Sequence, residues 1–483
     1  KKKQIMNYKF KTKPYEHQMT ALEKSCNQEN FAYFMEMGTG KSKVLLDNAA
    51  ILYDKGLING LLLIAPKGVY KNWYDSEIPT HLPDHVDRKV VLWKTSDKSI
   101  KQTKILNTLF ETGSDLRILI MNVEAFSSGD GPSFAHKFLS AHPKSMIAID
   151  EATTIKTHTT NRTKNIIALR ELCKYRRILT GSPVTKSPLD LYSQCQFLDP
   201  WLLGHESFWT FKARHAETRK IQVNGRQVEI ITGYRNLGEL SDKVEKFSER
   251  VLKQDCLDLP AKGYVKHYVE LSDAQKKLYK QMKKEAIAFL DGKMQSSATV
   301  MTQLMRLHQI TCGHFTADDG TIKDIPCSRL TELMNILENI EGKSIIWSQY
   351  THDVRRIIEE IKKVYGDESV VDYYGQTDTD ARSKNIKKFQ EDPKCRFFVG
   401  TTHTGGYGIT LTAGSNMIYY SNGYDLEKRQ QSEARIDRIG QTQKMTYIDI
   451  MAQDTIDERI VKSLRNKVNI ANAIMKEDYK EWI

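Results

Sequence analysis

Six short apolar runs recur in the first two hundred residues, FAYFM, LLLIAP, VVLW, ILIMN, MIAID and RILTG, each separated from the next by an amphipathic stretch. Unbroken apolar runs of this length suit strands buried on both faces, which parallel sheets achieve by laying crossover helices over each side. The pattern resumes after residue 340 with SIIWS, SVVDYY, RFFVGT, MIYYSN and TYIDIM, divided by helical segments such as DARSKNIKKFQED. The expected fold class is α/β, with two parallel-sheet lobes. Between them, from about Trp201 to Arg329, the sequence turns polar and lysine-rich, as in SDAQKKLYKQMKKEAIAFL, with Leu271, Gln275, Leu278 and Met282 at helical spacing. This reads as a helical insertion. The chain closes on DTIDERIVKSLRNKVNIANAI, where Thr455 and Glu458 suit a capping box and Ile456, Ile460, Leu464 and Val468 recur every four residues. The expected division is 1–205 for the first lobe, 206–329 for the insertion and linker, 330–453 for the second lobe, and 454–483 for an amphipathic helix packed on the core.

A chain of 483 residues is too long for one core, and 40% hydrophobic with 27% charged residues excludes wholesale disorder. Lys and Arg outnumber Asp and Glu by 72 to 60, a formal net charge of +12 that favours a polyanionic partner. Seven scattered cysteines, Cys26, Cys173, Cys195, Cys256, Cys312, Cys327 and Cys395, never form a CxxC pair, which suits a reduced intracellular protein. Cys312, His314 and Cys327 match no usual zinc spacing and lack a fourth ligand, so buried thiols and no structural metal are expected. No apolar run reaches the length of a membrane span, and KKKQIMNYKF lacks the apolar stretch of a signal peptide.

After the strand-like FAYFM comes EMGTGKSK and then VLLDNAAILY, with Leu45, Ala49 and Leu52 on one helical face. Strand, glycine loop and helix stand in the order that a phosphate loop needs. Gly38 and Gly40 let backbone N–H groups approach phosphate oxygens; Lys41 reaches the β and γ phosphates, and Ser42 ligates magnesium at the helix N-terminus. Met35 occupies the first glycine position of the general GxxxxGK[ST] pattern, and an incidental glycine turn is the alternative. MIAIDEAT supplies the carboxylates: Asp150 to hold magnesium, Glu151 to orient the water that attacks the γ-phosphate. Near the other end, QSEARIDRIGQ carries Arg435 and Arg438 three residues apart. On a helix they share a side, and taken alone they would most simply be solvated surface charge.

Together these blocks resemble helicase superfamily two, and within it the Swi/Snf-type DNA translocase ATPases. KPYEHQ, ending in Gln18, resembles the adenine-side glutamine motif, MGTGKS the family's MGLGKT, and DEAT its DEGH or DEAH, followed by Lys156 in a matching IK. LLLIAPKGVYKNW, LTGSPV, LYSQCQFLDP, VELSDAQKKLYKQM, LMRLHQITCGH, KSIIWSQY, YYGQTDTDAR, GTTHTGGYGITLT and QSEARIDRIGQT follow in the family's order. The resemblance implies two RecA-like lobes, with ATP and Mg2+ bound by Gln18, Gly38, Thr39, Gly40, Lys41, Ser42, Asp150, Glu151 and Gly408. Arg435 and Arg438 would serve as arginine fingers from the second lobe across a cleft. It further implies Thr180, Ser182 and Gln431 as coupling residues, and Lys67, Asn72, Trp73, Ser348, Gln349, Thr402, Thr404 and Gly405 as DNA contacts. Four departures from the family pattern bear on coupling: Thr153 for histidine, Lys186 for asparagine, Thr410 for asparagine and Asp437 for histidine.

The implied activity is ATP-driven translocation on double-stranded DNA, remodelling protein–DNA or branched-DNA structures. A strand-separating DNA or RNA helicase and an ATP-gated clamp with little turnover are the alternatives. No histone-reader, bromodomain-like or nuclease segment is recognisable. The expectation is a monomeric motor with unidentified protein partners, acting in a bacterial cytoplasm or, if viral, in a host's.

Overall fold

The computed structural model describes residues 8–464 apart from 68, 95–98, 128, 186, 224–225, 257–261, 292–296, 318, 406–408 and 439. All eleven apolar runs read from the sequence recur as strands, and the chain from 206 to 329 adds strands of its own. The strands are β1 (Asn30–Met35), β2 (Gly60–Ala65), β3 (Arg88–Leu92), β4 (Leu116–Asn122), β5 (Ser145–Asp150), β6 (Tyr175–Leu179), β7 (Ala216–Val223), β8 (Arg226–Tyr234) and β9 (Ser248–Val251). They continue as β10 (Lys262–Val269), β11 (His314–Thr316), β12 (Ile322–Asp324), β13 (Lys343–Ser348), β14 (Val370–Tyr373), β15 (Phe397–Thr401), β16 (Gly414–Tyr419) and β17 (Met445–Ala452).

The chain divides into two units, one built on Lys1–Glu217 with Ile231–Asp258, the other on Leu259–Val468 with Thr218–Ile230. In the first, seven strands run in the order β3-β4-β2-β5-β6-β1-β9, all parallel. Every residue of β2, β4 and β5 is buried, which is why these strands read as continuous apolar runs. One core layer includes Phe34, Leu62, Met121, Phe138 and Ile149; the layer on the opposite face includes Tyr33, Leu46, Leu63, Ile120 and Ala148. Arg177 on β6 is fully buried, and its guanidinium donates to Asn48 Oδ1 and the carbonyls of Ser25, Gln28 and Glu29.

In the second unit the order is β10-β17-β16-β13-β15-β14, again all parallel. The expected helical insertion is thus mixed. It holds the helices Phe208–His215, Leu237–Glu245, Asp273–Asp291 and Ser297–Cys312, the hairpin β7/β8, and one edge strand for each large sheet, β9 and β10. The helix at 456–464 packs Ile456, Ile460 and Leu464 with Leu307 and Leu426, while Val468 lies outside the described residues. Its cap differs from the expected box: Thr455 Oγ1 accepts from the N–H of Asp457, not of Glu458.

Asp457 anchors this helix to the unit. Its carboxylate pairs with the buried guanidinium of Arg329 and accepts from Thr311 Oγ1 at 2.8 Å and the Ala452 N–H at 2.9 Å. Burial pushes this carboxyl up, but Arg329 and His308 outweigh burial and hold it below its ordinary value. Removing one partner of such a pair strands the other charge in the core. Asp457→Ala should therefore cost about 3–5 kcal/mol, seen as a lowered calorimetric transition for the second unit with the first unit's transition in place.

Candidate functional site

The strand order of the first unit decides where its chemistry gathers. β5, β6 and β1 are neighbours, so their carboxyl ends bring Asp150, Thr180 and the loop after Met35 together at one edge of the sheet, where open α/β folds bind ligands. The loop closes into the helix Lys41–Asp54 through Gly38 and Gly40, with φ of 86° and 85°. Only glycine adopts such angles at little cost. Gly40 has a second constraint, since a Cβ there would lie 2.1 Å from Gln18 Nε2. That amide donates to the Thr39 carbonyl at 3.0 Å, and Gln18 Oε1 accepts the Tyr15 N–H at 3.0 Å. His17 Nε2 donates to the same Thr39 carbonyl at 2.8 Å, a contact not anticipated from sequence although His17 adjoins the glutamine.

Across from the loop, Lys41 Nζ lies 3.5 Å from Glu151 Oε1, and Thr180 Oγ1 donates to Glu151 Oε2 at 3.3 Å. Glu151 itself sits in the left-handed region, φ 50°. For a non-glycine residue this conformation costs on the order of 1 kcal/mol or more and is concentrated at functional sites. It turns the side chain back toward Lys41 directly after a strand. Asp150 accepts the Glu151 N–H on Oδ1 at 3.1 Å and the indole N–H of Trp73 on Oδ2 at 2.8 Å. Burial raises both carboxyls above their ordinary values, and the ammonium of Lys41 only partly opposes it. Two buried acids share one nearby ammonium, so a divalent cation would offset the remaining charge. Ser42 at the helix N-terminus and Asp150 are the hard oxygen donors suited to magnesium. Ser182 follows, its N–H bonded to Thr180 Oγ1 at 3.1 Å.

Two further residues brace the loop. Arg250 on β9 donates to the carbonyls of Phe34 and Gly181 at 3.0 and 2.9 Å, joining the base of the phosphate loop to the TGS turn. Glu36, within the loop, accepts the Lys253 N–H at 2.8 Å. Neither was visible in sequence, because both depend on β9 pairing with β1.

Of the expected DNA contacts on this unit, Lys67 and Asn72 are exposed. Trp73 is not: it is 1% exposed, and its ring fills the core while its N–H holds Asp150. The aromatic is a support for the acidic strand end, a correction to its reading as a surface contact. In the second unit, Ser348, Gln349, Thr402, Thr404 and Gly405 gather at the carboxyl ends of the adjacent strands β13 and β15. Gln349 is exposed, and Thr402 and Thr404 are half-buried. Ser348 is fully buried against Asp353 and Ser421, so its hydroxyl is internal. Gly405 is buried too, and a Cβ on it would lie 2.2 Å from the Trp347 ring. Gly408 and Lys186 lie outside the described residues.

The two arginines do not lie on a helix. The helix Leu426–Glu433 ends before them, and both occupy the turns that follow. They nonetheless converge: Arg435 Nη1 and Arg438 Nη1 each donate to the Ile409 carbonyl, at 3.1 and 3.3 Å, and Arg438 also reaches Thr410 Oγ1 at 2.8 Å. Arg435 Nε donates to the Gln431 carbonyl at 2.8 Å, while Gln431 Nε2 donates to Glu427. Asp437, between the arginines, pairs with Lys262 on β10 at 2.9 Å. Beneath the turn, buried Arg429 binds Glu433 and Asp449 and lies 3.4 Å from the Tyr419 ring centroid.

A phosphate loop beside an acidic strand end on one parallel α/β unit, and a paired-arginine turn on a second such unit, define the class of two-lobed helicase superfamily two ATPases. More particularly, the chain belongs to the SNF2-related family: residues 16–316 match the SNF2-related domain, and residues 327–440 match the helicase conserved C-terminal domain. It is similar to YwqA of Bacillus subtilis, named as an ATP-dependent helicase/translocase, at 26% identity over 436 residues, 87% of this chain and 44% of the relative. It is also similar to the human DNA excision repair protein ERCC-6, at 22% identity over 98% of this chain and 33% of the relative. Among solved structures, the Sulfolobus solfataricus SWI2/SNF2 ATPase core in complex with dsDNA aligns over 97% of this chain and 95% of that one, at 23% identity and a TM-score of 0.43. The chain spans less than half the length of the two curated relatives. Among the described residues, no helix is long and apolar enough to cross a membrane.

The acid pair has a consequence for stability. Unfolded carboxyls ionise near pH 4; in the folded unit burial holds protons on the pair to higher pH. Between about pH 4 and that higher pH the folded state binds more protons than the unfolded one, so stability falls as pH rises through the window. Glu151→Gln should flatten this fall in the thermal midpoint of nucleotide-free protein above about pH 4, and a slope equal to that of the unaltered protein would count against the burial effect.

Proposed function

We propose that this chain is an ATP-driven translocase on double-stranded DNA, moving along the duplex without separating its strands. The observation that carries the reading is the cluster at the ends of β1, β5 and β6, where Lys41, Asp150, Glu151 and Thr180 occupy one connected site. In this reading the backbone around Gly38 to Ser42 and Lys41 hold the phosphates of ATP, and the oxygens of Ser42 and Asp150 hold magnesium, which neutralises phosphate charge when bound. Glu151 orients the attacking water. Its placement by a left-handed backbone and by Thr180 links that role to the TGS turn, so Thr180 and Ser182 report nucleotide state.

Arg435 and Arg438 supply the planar cations that stabilise charge spreading over the γ-phosphoryl oxygens, a contribution of roughly three to five decades of rate in other nucleotide hydrolases. Grip on DNA falls to Lys67 and Asn72 on the first unit and to Gln349, Thr402 and Thr404 on the second, through phosphates and not bases, because a motor must pass every sequence. The excess of 12 positive charges supports a polyanionic track. The family assignment and the helicase/translocase name of the Bacillus subtilis relative support a moving motor over a static clamp.

ATPase rates with duplex DNA, single-stranded DNA and RNA, together with triplex-displacement and unwinding assays, test the reading. Duplex stimulation with triplex displacement and no unwinding is expected. Stronger stimulation by RNA, or unwinding without triplex displacement, would overturn it. Glu151→Gln should bind ATP normally and lose turnover by at least about two decades. Arg438→Ala should lose hydrolysis while DNA binding persists, and a selective DNA-binding defect would instead return that arginine to surface charge.

A further inference from the structure

The helix Asp273–Asp291 carries five lysines in its first three turns, Lys276, Lys277, Lys280, Lys283 and Lys284, and the chemistry proposed above uses none of them. The helix is docked by its other side. Gln275 is fully buried, its amide donating to the Ile310 carbonyl at 2.7 Å. Tyr279 accepts the Ile456 N–H on its hydroxyl at 2.8 Å, and Tyr279 and Met282 pack against the cluster of Leu307, Leu426 and Ile456.

At about 100° per residue, Gln275, Leu278, Tyr279 and Met282 span one arc of about 100°, and the five lysines fall in the opposite arc of about 120°. All five lysines are exposed, and none of their side-chain ammonium groups has an ion pair or hydrogen bond with a described residue. Asp273, in the first turn, is the one described acid on that side. Such an arrangement works against the helix: like charges three and four residues apart, as in Lys276–Lys280, Lys277–Lys280 and Lys280–Lys284, each destabilise it by about 0.2–0.5 kcal/mol. Solvated helix faces ordinarily intersperse both signs. An arc of five lysines with Asp273 as its one described acid, docked from behind, is suited to neutralise a polyanion. Lys276, Lys280 and Lys284 step along the axis by about 6 Å each, a spacing on the scale of successive phosphates.

We propose that this lysine face is a second duplex-DNA contact, separate from the grip at the ends of β13 and β15, that binds the phosphate backbone electrostatically. The proposal rests on the duplex reading above. It adds a patch that strengthens and retains DNA without touching ATP chemistry.

Duplex binding of the full chain, followed by fluorescence anisotropy across a salt series, tests it in three forms: the unaltered protein, K276Q/K280Q/K284Q and K276R/K280R/K284R. Each phosphate contact contributes about 0.9 to the slope of log affinity against log salt. The glutamine variant should show a slope shallower by about 2 to 3 and at least tenfold weaker binding at moderate salt. The arginine variant should keep the original slope, which separates charge from packing. A glutamine variant with unchanged slope and affinity overturns the second contact and leaves the translocase reading intact. If the unaltered chain fails to bind duplex at all, both fall. If the glutamine variant keeps duplex binding but loses binding to vesicles of phosphatidylserine and phosphatidylcholine, the face meets a membrane and the proposal is wrong.

Discussion

Two carboxylates buried at the end of β5 are the constraint around which the first unit is arranged. A charge-bearing pair in an apolar interior is costly unless something answers it. Lys41 answers Glu151 at 3.5 Å, and the Trp73 indole answers Asp150. The requirement propagates outward. Lys41 must sit at the start of a helix, which needs glycines at 38 and 40; Gly40 must leave room for Gln18, whose amide holds the Thr39 carbonyl. Trp73 must be drawn inward, and the short π-helical turn Trp73–Glu77 carries it there. Compact π turns of this kind commonly mark functional positions.

The second unit solves a different problem, holding two guanidinium groups side by side although like charges repel. It does so with carbonyl and hydroxyl oxygens. The Ile409 carbonyl accepts from both arginines, Arg435 also donates to the Gln431 carbonyl and Arg438 to Thr410 Oγ1, while the neighbouring acids Glu433 and Asp449 are paired with Arg429. The strand β10 enters this arrangement through Lys262.

Much of this was legible in the sequence, for physical reasons. Strands buried on both faces leave continuous apolar runs, so β1 to β6 and β13 to β17 could be read directly. The phosphate loop and the DEAT strand end could be read because their chemistry tolerates few residue types. What escaped were elements whose sequence does not look like their environment. β9, SERV, and β10, KGYVKHYV, are half-exposed edge strands with charged residues, and such strands lack the apolar signature. QSEARIDRIGQ looked helical throughout, but the helix stops at Glu433, and the side chain of Arg435 satisfies the Gln431 carbonyl left open by that stop. Trp73 was placed among the DNA contacts by resemblance alone, whereas its side is set by one hydrogen bond to Asp150, a partner 77 residues away in sequence.

The pairing of β9 with β1 bears on where this chain can be cut. β1 carries the phosphate loop, and its outer neighbour is supplied from residues 248–251, some seventy residues beyond the end of β6. A fragment that stopped at 205, where the sequence suggests the first lobe ends, would present the backbone of β1 as an unpaired, largely apolar edge, the kind of surface on which strands of other molecules add. It would also lose Arg250 from the carbonyls beneath the loop. During synthesis the nucleotide-binding strand therefore waits for sequence made well after its own crossover partners, and a soluble first-lobe fragment has to extend past Val251.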